Sequence, residues 1–115
     1  MDIRIKRIYD DPANSDGTRI LVDRLWPRGV SKKDAQLDDW IKDIAPSSDL
    51  RKWFDHKEER FDEFSEKYKR ELQDHPDIIK DLLEKAKSKR LTLLYGAKDE
   101  KHNQAIVLKE FLEEQ

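Results

Sequence analysis

The residues best suited to chemistry stand where an apolar stretch gives way to charge, within the segment Gly17–Gly29. Its centre, Ile20-Leu21-Val22, predicts a buried strand, and Asp23, Arg24 and Arg28 follow at once. Charged groups at the end of a buried strand are costly to remove from water, and functional sites are often built at such positions. The segment therefore predicts where a site would form, although it does not name a reaction.

Two arginines on either side of Trp26-Pro27 would suit an anion clamp. Arg24 and Arg28 each carry a planar guanidinium with five donors, which fits phosphate, sulfate or carboxylate. Trp26 would supply an aromatic wall to the ligand, and Asp23 would orient the arginines or act as a catalytic base. The alternative is a structural ion pair between Asp23 and one arginine, with Trp26 packed in the core.

A second candidate is the segment Gly96–Asn103, which we predict to connect the last strand to the last helix. Free N–H groups at a helix N-terminus attract anions, so Lys98 and Asn103 are candidate ligand-binding residues. Asp99 would act as a catalytic base or simply cap the helix. The glycine pattern matches neither a P-loop nor a dinucleotide-binding motif, and the alternative is an ordinary connection between a strand and a helix.

A third candidate is the group Ser47, Ser48 and Arg51 after Pro46, of which Ser47 would contact a ligand. The alternative is that one serine caps the next helix. A serine nucleophile needs a histidine base within reach, and helix spacing places His56 beyond easy contact. His56, His75 and His102 share no metal-ligand spacing, so we expect neither a metal nor a cofactor.

Composition narrows the classes of protein to which the chain can belong. Its 115 residues predict one domain, residues 1–115, and the lack of cysteine excludes disulfides, thiolate nucleophiles and Cys-ligated metals. Charged residues make up 43% of the chain, yet the apolar residues are periodic, which indicates a folded domain with a charged surface. A net charge of −2 argues against a nucleic-acid partner.

No segment of the sequence has the features of a signal peptide or of a membrane span. Charged residues begin directly after Met1, and no apolar run approaches the ~18 residues that a span requires. We therefore expect a cytoplasmic protein without a membrane association. A homo-oligomer is compatible with this sequence.

Hydrophobic periodicity predicts three strands, three main helices and two short capped elements. The strands are expected at about 2–9, 19–25 and 91–95, the helices at about 58–74, at about 77–88 and after an Asn103 cap, and the short elements after Ser31 and Ser47. Residues 37–44 fit both helix and strand spacing. Pro46 restricts the preceding residue to extended backbone, which favours a strand there.

Strands that alternate with helices predict an α/β domain with three layers and a mainly parallel sheet of about four strands. Ligands of such folds bind at the carboxyl ends of the strands, where all three candidate segments would meet. We expect a pocket there for a small anionic ligand that carries a phosphate, nucleotide or carboxylate group, and an enzymatic reaction remains open. The alternative is a non-catalytic module for an acidic protein partner or RNA.

Several of these motifs together resemble the YeaO-like bacterial family of unknown function. The matching residues are Arg7-Ile8-Tyr9, Gly17, Val22–Gly29, Trp40, Ala45-Pro46-Ser47, Leu50-Arg51, Phe54, Leu91–Asp99 and Asn103-Gln104-Ala105. The resemblance covers nearly the whole chain and implies a compact cytosolic α/β domain with no established activity. Larger relatives carry a Cys-His-Arg element after the last strand, whereas this chain has His102-Asn103-Gln104 near that place, which argues against thiol chemistry.

Overall fold

Four parallel strands form the centre of the protein in a computed structural model that describes all 115 residues. The strands are β1 (Ile3–Arg7), β2 (Thr18–Leu21), β3 (Asp39–Trp40) and β4 (Leu91–Tyr95), in the order β1-β4-β2-β3. The helices are α1 (Lys32–Ala35), α2 (Ser48–Phe54), α3 (Phe61–Leu72), α4 (Pro76–Ser88) and α5 (Gln104–Glu113). The predicted α/β class with a parallel sheet of about four strands is confirmed.

The two central strands are buried along their whole length. Every residue of β2 and of β4 is buried, and Leu93 of β4 lies in register with Ile20 of β2 and Ile5 of β1. Continuous apolar runs are typical of parallel strands that are covered on both faces. The expectation that Ile20-Leu21-Val22 is a buried strand of this kind is therefore confirmed, although Val22 itself lies just beyond the end of β2.

The two faces of the sheet are covered unequally. Helices α2 to α5 pack on one face, where their apolar residues join Ile20 and Leu93 in a core of 20 buried residues. The opposite face carries Leu21 and Leu94, which pack against Ala35 of the short helix α1. The result is three layers, and the thin α1 layer leaves room for the loops at the carboxyl ends of the strands.

Helix α3 fixes the position of α2 over the sheet. Phe64 and Tyr68 lie one turn apart on the buried face of α3, as the 3–4 spacing of its apolar residues predicts. Phe64 stacks on Phe54 of α2 with ring centroids 4.3 Å apart, and the Tyr68 hydroxyl donates to the Ile44 carbonyl at 2.6 Å. These contacts hold the end of α2 beside the end of β2.

Strand β2 is shorter than the predicted 19–25. It ends at Leu21, although the Val22 N–H still donates to the Leu94 carbonyl at 3.0 Å. From Asp23 onward the chain leaves the sheet, because the Asp23 carboxylate binds the Gly96 N–H at 2.9 Å and its carbonyl accepts from Trp40. Strand β1 likewise ends at Arg7 rather than at residue 9, since a turn follows in which Asp10 N–H donates to the Arg7 carbonyl.

The prediction of a strand over 37–44 is wrong for most of its length. Only Asp39–Trp40 pairs with β2, and a 3₁₀ turn at Lys42–Ile44 follows directly. The backbone becomes extended again at Ala45 before the proline. Similarly, the predicted helix 58–74 begins as a 3₁₀ turn at Glu58–Arg60 and becomes α-helical only from Phe61.

The predicted helix caps are confirmed. Ser31, Ser47 and Asn103 each accept a bond from the backbone N–H three residues later, at 3.0 to 3.1 Å. None of the helices is long and apolar enough to pass through a membrane. The cytoplasmic location stays a prediction.

Candidate functional site

The loops after β2 and β4 line one cleft of about 610 Å³ at the carboxyl ends of the strands. Its lining residues are Tyr9, Asp23–Pro27, Ala45-Pro46, Arg51, Lys52, Phe54, Asp55, His56, Phe64, Gly96-Ala97 and His102–Gln104. Parallel strands end at the same edge of a sheet, so residues far apart in sequence meet there. The three segments singled out in the sequence thus all contribute residues to this cleft.

Asp23 joins three elements at the wall of the cleft. One carboxylate oxygen accepts from the Gly96 N–H at the end of β4 at 2.9 Å, and the other accepts from the Gln104 side-chain amide at the start of α5. The Asp23 backbone carbonyl accepts from the indole N–H of Trp40 at 2.7 Å. The carboxylate is therefore held in orientation by Gly96 and Gln104, and the Asp23 backbone by Trp40 of β3.

Burial changes the protonation of this carboxyl group. Loss of water contact raises the pKa of Asp23 to about 6, although the Gly96 N–H, the Gln104 amide and the nearby charge of Arg51 act in the opposite direction. Asp23 is consequently ionised at neutral pH and gains a proton in mildly acidic solution. In contrast, the pKa values of Asp2, Asp16 and Asp99 are lowered.

Arg24 connects two of the loops rather than forming an ion pair. Its Nε donates to the Pro46 carbonyl at 3.2 Å, and one terminal nitrogen donates to the Ala45 carbonyl at 3.1 Å. The second terminal nitrogen has no such bond. Neither Arg24 nor Arg28 lies within ion-pair distance of Asp23, so the structural ion pair considered as an alternative is not present.

Of the two arginines expected to clamp an anion on either side of Trp26-Pro27, only Arg24 lines the cleft. Trp26 lines the cleft, donates its indole N–H to the Val30 carbonyl at 2.7 Å and packs edge-on against Trp40. Arg28 is exposed and is not among the lining residues. Its backbone carbonyl accepts from the Tyr9 hydroxyl at 3.0 Å, which holds this loop against the end of β1.

Ser47 lies outside the lining, and its hydroxyl is already occupied. The oxygen accepts from the Leu50 N–H at 3.1 Å and donates to a Glu71 carboxylate oxygen at 2.6 Å. The Ser47 N–H donates to the other oxygen of Glu71 at 2.8 Å. The residue thus caps α2 and connects it to α3.

In the loop between β4 and α5, the polar side chains bond mainly to groups of the loop itself. One Asp99 oxygen accepts from the Lys101 and His102 N–H groups at 2.9 and 3.0 Å, and the other contacts Nδ1 of His102 at 2.9 Å. The bond from the Lys101 N–H is the main reason why the pKa of Asp99 is lowered. Asp99 and the exposed Lys98 are not among the lining residues.

Asn103 does line the cleft, but both ends of its amide are engaged. The oxygen accepts from the Ile106 N–H at 3.1 Å as the helix cap, and the nitrogen donates to the Asp99 carbonyl at 3.0 Å. The side chain is almost fully buried. At the start of α5, Gln104 therefore offers polar atoms to the cleft more than Asn103 does.

Helix α2 and the following turn bring to the cleft Arg51, which the sequence named beside Ser47 and Ser48, and also Lys52, Asp55 and His56, which it assigned to no site. Arg51 projects from α2 and has a fully buried Nε without a hydrogen-bond partner. Asp55 and His56 both have left-handed backbone, with φ of 48° and 53°. Such strain in residues other than glycine concentrates at functional sites. No local sequence signal marks this turn, since neither position is a glycine.

The lining of the cleft carries side chains of both charges. Three basic residues, Arg24, Arg51 and Lys52, lie in the same lining as two aspartates, Asp23 and Asp55. His56 and His102 also line the cleft and can add positive charge when protonated. No group of three or more His, Asp or Glu residues is placed to hold a metal ion.

Comparison with known proteins gives consistent results. A family profile described as the inactive DUF488-N3 subclade matches residues 2–115. The chain is 49% identical over 112 residues to the uncharacterised protein YeaO of Escherichia coli K12, and the match covers 97% of each chain. It is also 50% identical over 72 residues to an uncharacterised protein of Mycobacterium tuberculosis H37Rv, which covers 63% of this chain and 61% of that protein.

No solved structure matches this chain. The family profile nevertheless extends over almost every residue, and the similarity to YeaO has no large gap at either end. The chain therefore belongs to the YeaO-like bacterial proteins of the inactive DUF488-N3 subclade, a family of unknown function.

Proposed function

We propose that the cleft at the strand ends binds a small ligand with a phosphate or carboxylate group, and that it binds this ligand without turning it over. The observation that carries the proposal is the buried, unpartnered Nε of Arg51. Buried donors in folded proteins are nearly always paired, and an unpaired one costs about 1–3 kcal/mol. A ligand oxygen is the partner that would remove this cost.

The guanidinium group of Arg51 is free to meet a ligand. Its only side-chain bond within the protein is a long one, 3.2 Å, from a terminal nitrogen to the Ser48 hydroxyl on the exposed surface. Arginine binds carboxylate and phosphate through two parallel N–H bonds, which requires one side of the guanidinium to be unoccupied. Nε would provide that side together with a terminal nitrogen once a small shift of the side chain opens Nε to the cleft.

The surroundings of Arg51 also favour an anion. Arg24 is held in place by two backbone carbonyls, so its charge would contribute without a loss of side-chain freedom on binding. Helix α5 begins at the cleft with Gln104, and the N-terminal end of a helix carries a partial positive charge. These contributions add to the excess of cationic over anionic side chains in the lining.

Two features favour binding over catalysis. The family profile is described as an inactive subclade. In addition, the two aspartates considered as catalytic bases are both engaged: Asp23 accepts from Gly96 and Gln104, and Asp99 accepts from the turn of its own loop. A general base needs to reach the proton that it removes, and neither carboxylate is free to reorient.

A small ligand suits this site better than an acidic protein or RNA. The site is a concave cleft of about 610 Å³, within the usual range of small-molecule sites of roughly 300–1,000 Å³. The net charge of the whole chain is −2, which gives no long-range attraction for a polyanion. The dependence of affinity on salt concentration distinguishes a small ligand from RNA, because RNA binding would weaken steeply as salt rises.

The test is isothermal titration calorimetry with propyl phosphate on the wild-type protein, Arg51→Gln and the control Arg70→Gln. Arg70 is an exposed arginine of α3 outside the cleft lining. A bidentate charged bond contributes about 1.5–3 kcal/mol, so Arg51→Gln should raise the Kd by about tenfold or more. Arg70→Gln should leave the Kd within about twofold of wild type.

Three results would contradict the proposal. These are equal effects of the two arginine variants, an absence of binding by propyl phosphate and propionate alike, or tighter binding of RNA with a steep dependence on salt. Arg51→Lys provides a second test, because it keeps the charge but loses the planar fork. It should recover only part of the lost affinity.

A further inference from the structure

The strongest feature of the cleft that an anion alone does not explain is the fixed carboxylate of Asp23. It lines the same cleft as Arg51, so it stands near the groups that would hold the ligand's anion. A bare phosphate or carboxylate there would be repelled by Asp23 when the aspartate is ionised. The site therefore requires something between the ligand's anionic group and this carboxylate.

A hydrogen-bond donor on the ligand would serve that purpose. Each Asp23 oxygen accepts one bond from the protein, and an ionised carboxylate has about four acceptor positions, so both oxygens can accept another. The Gln104 amide is bound to Asp23 through its nitrogen, which leaves its carbonyl oxygen as a further acceptor. Two neighbouring acceptors thus lie in the same lining as the donors of Arg24, Arg51 and Lys52.

A neutral donor fits this position better than a charged one. Arg51 lines the same cleft as Asp23, so a ligand ammonium group would meet positive charge there. A hydroxyl group carries no such penalty and can donate to one acceptor while it accepts from a neighbour. The remaining walls, including Leu25, Pro27 and Phe54, are apolar and suit a short carbon skeleton.

We infer that the ligand is a small hydroxylated anion of the polyol phosphate or hydroxy acid type, with its anionic group on Arg51 and a hydroxyl on Asp23 and Gln104. This inference rests on the proposed function and adds the chemical class of the ligand. It assigns Asp23 and Gln104 as specificity-determining residues. Arg51 supplies most of the affinity for the anion.

The experiment compares glycerol 3-phosphate with propyl phosphate, which share a three-carbon phosphate ester and differ by two hydroxyl groups. Affinities are measured by calorimetry at about pH 7.5, where a carboxyl with a pKa of about 6 is ionised. Hydrogen bonds to a charged group are among the stronger ones, so wild type should prefer glycerol 3-phosphate by about tenfold or more. 2-Aminoethyl phosphate should bind more weakly than glycerol 3-phosphate.

Two substitutions separate the role of Asp23 from a general effect of charge. Asp23→Asn should reduce the preference for glycerol 3-phosphate to about threefold or less, because a neutral amide accepts a weaker bond. Asp55→Asn removes the same charge from the same lining and should keep the wild-type preference. Asparagine tolerates the left-handed backbone of residue 55, so this control should fold normally.

The outcomes distinguish the two proposals. Equal binding of glycerol 3-phosphate and propyl phosphate, with both lost in Arg51→Gln, would overturn the inference and leave the proposed function intact. A preference that survives in Asp23→Asn, or tighter binding of 2-aminoethyl phosphate, would also overturn it. Binding of none of the probes would contradict both. If Asp23→Asn unfolds, Gln104→Met provides the test, because it removes the second acceptor and should likewise lower the preference.

Discussion

At the scale of single residues, Asp23 illustrates how one side chain can serve structure and ligand at the same time. It follows a buried strand directly in the sequence, and its spacing predicts an ion pair with a neighbouring arginine as one alternative. In the folded protein it binds Gly96 and Gln104, which are more than seventy residues away. Local spacing could not have identified these partners, because only the parallel pairing of β2 with β4 brings them to Asp23.

The raised pKa of Asp23 predicts a pH dependence of stability. Near pH 4 and below, the Asp23 carboxyl is protonated in the folded protein. Between about pH 4 and 6 this carboxyl ionises only in the unfolded chain, so the free energy of unfolding falls as pH rises. The loss is complete above pH 6. Asp23→Asn cannot ionise, so its stability relative to wild type should increase by on the order of 2–3 kcal/mol over this window. Urea unfolding of both proteins from pH 4 to 7 measures the difference.

A constant difference between the two proteins across that range would show that Asp23 has an ordinary pKa. Asp55→Asn serves as the control, because this carboxyl is exposed to solvent. Its difference from wild type should not vary with pH in the same way.

Gly96 should be sensitive to any side chain for a reason that involves Asp23. A Cβ at this position would lie 2.9 Å from an Asp23 oxygen, so Gly96→Ala should displace the carboxylate and cost about 1–3 kcal/mol of stability. The affinity for glycerol 3-phosphate should fall as well. Gly29→Ala is the matched control, since φ of 75° makes alanine strained there but no atom lies within 4 Å of the new Cβ.

Both glycine variants should lose stability, and thermal unfolding measures that loss. Only Gly96→Ala should also lose ligand affinity. A Gly96→Ala protein that binds the probe as wild type does would argue that the orientation of Asp23 is irrelevant to binding.

At the scale of secondary structure, helix caps were the most predictable feature. Ser31, Ser47 and Asn103 each act within four residues of themselves, so their role can be deduced from local sequence. The strand boundaries were less predictable. β3 has two residues only, because a 3₁₀ turn follows Trp40, and that turn depends on the contact between Ile44 and Tyr68 of α3.

Ser47 should affect stability without affecting binding. Ser47→Ala removes the cap of α2 and a bond to Glu71, and we expect a loss of about 1–2 kcal/mol in urea unfolding. Ser48→Ala, one residue later, removes only a long exposed bond to Arg51 and should be close to neutral. The Kd for propyl phosphate in Ser47→Ala should stay within about twofold of wild type. A tenfold rise in this Kd would show that Ser47 contributes to ligand binding.

The face of the sheet opposite the main helices depends on Arg19 of β2. This buried guanidinium bonds to Asp16 at 2.6 Å and to the Ala35 and Gln36 carbonyls at the end of α1. Arg19→Met would leave Asp16 buried with only Lys6 as a charged partner, and we expect a loss of about 3 kcal/mol or more. Arg4→Ala breaks an exposed pair with Asp2 and should cost less than about 1 kcal/mol. Urea unfolding of both variants measures these losses of stability.

At the scale of the whole molecule, the parallel sheet explains why the sequence predicts the position of the site but not all of its residues. Apolar runs between helices predicted the sheet, and the sheet places every βα loop at one edge. Asp23, Arg24 and Trp26 could be predicted because they closely follow a strand, and Asn103 because it caps the last helix. Asp55 and His56 could not, because they reach the cleft from the turn after α2, which the packing of Phe54 on Phe64 holds in place.

The central claim is that an anionic ligand binds Arg51 within this cleft. The most direct measurement is NMR titration of ¹⁵N-labelled protein with glycerol 3-phosphate, in which the Arg51 Nε–H, the Gly96 amide and the Gln104 side-chain amide are followed. These three signals should shift together and saturate with one Kd, and the Arg51 Nε–H should move downfield as it gains an acceptor. Unchanged signals at these three groups at saturating probe, or shifts confined to the groove near Arg4 and Arg90 at the opposite end of the strands, would contradict the claim.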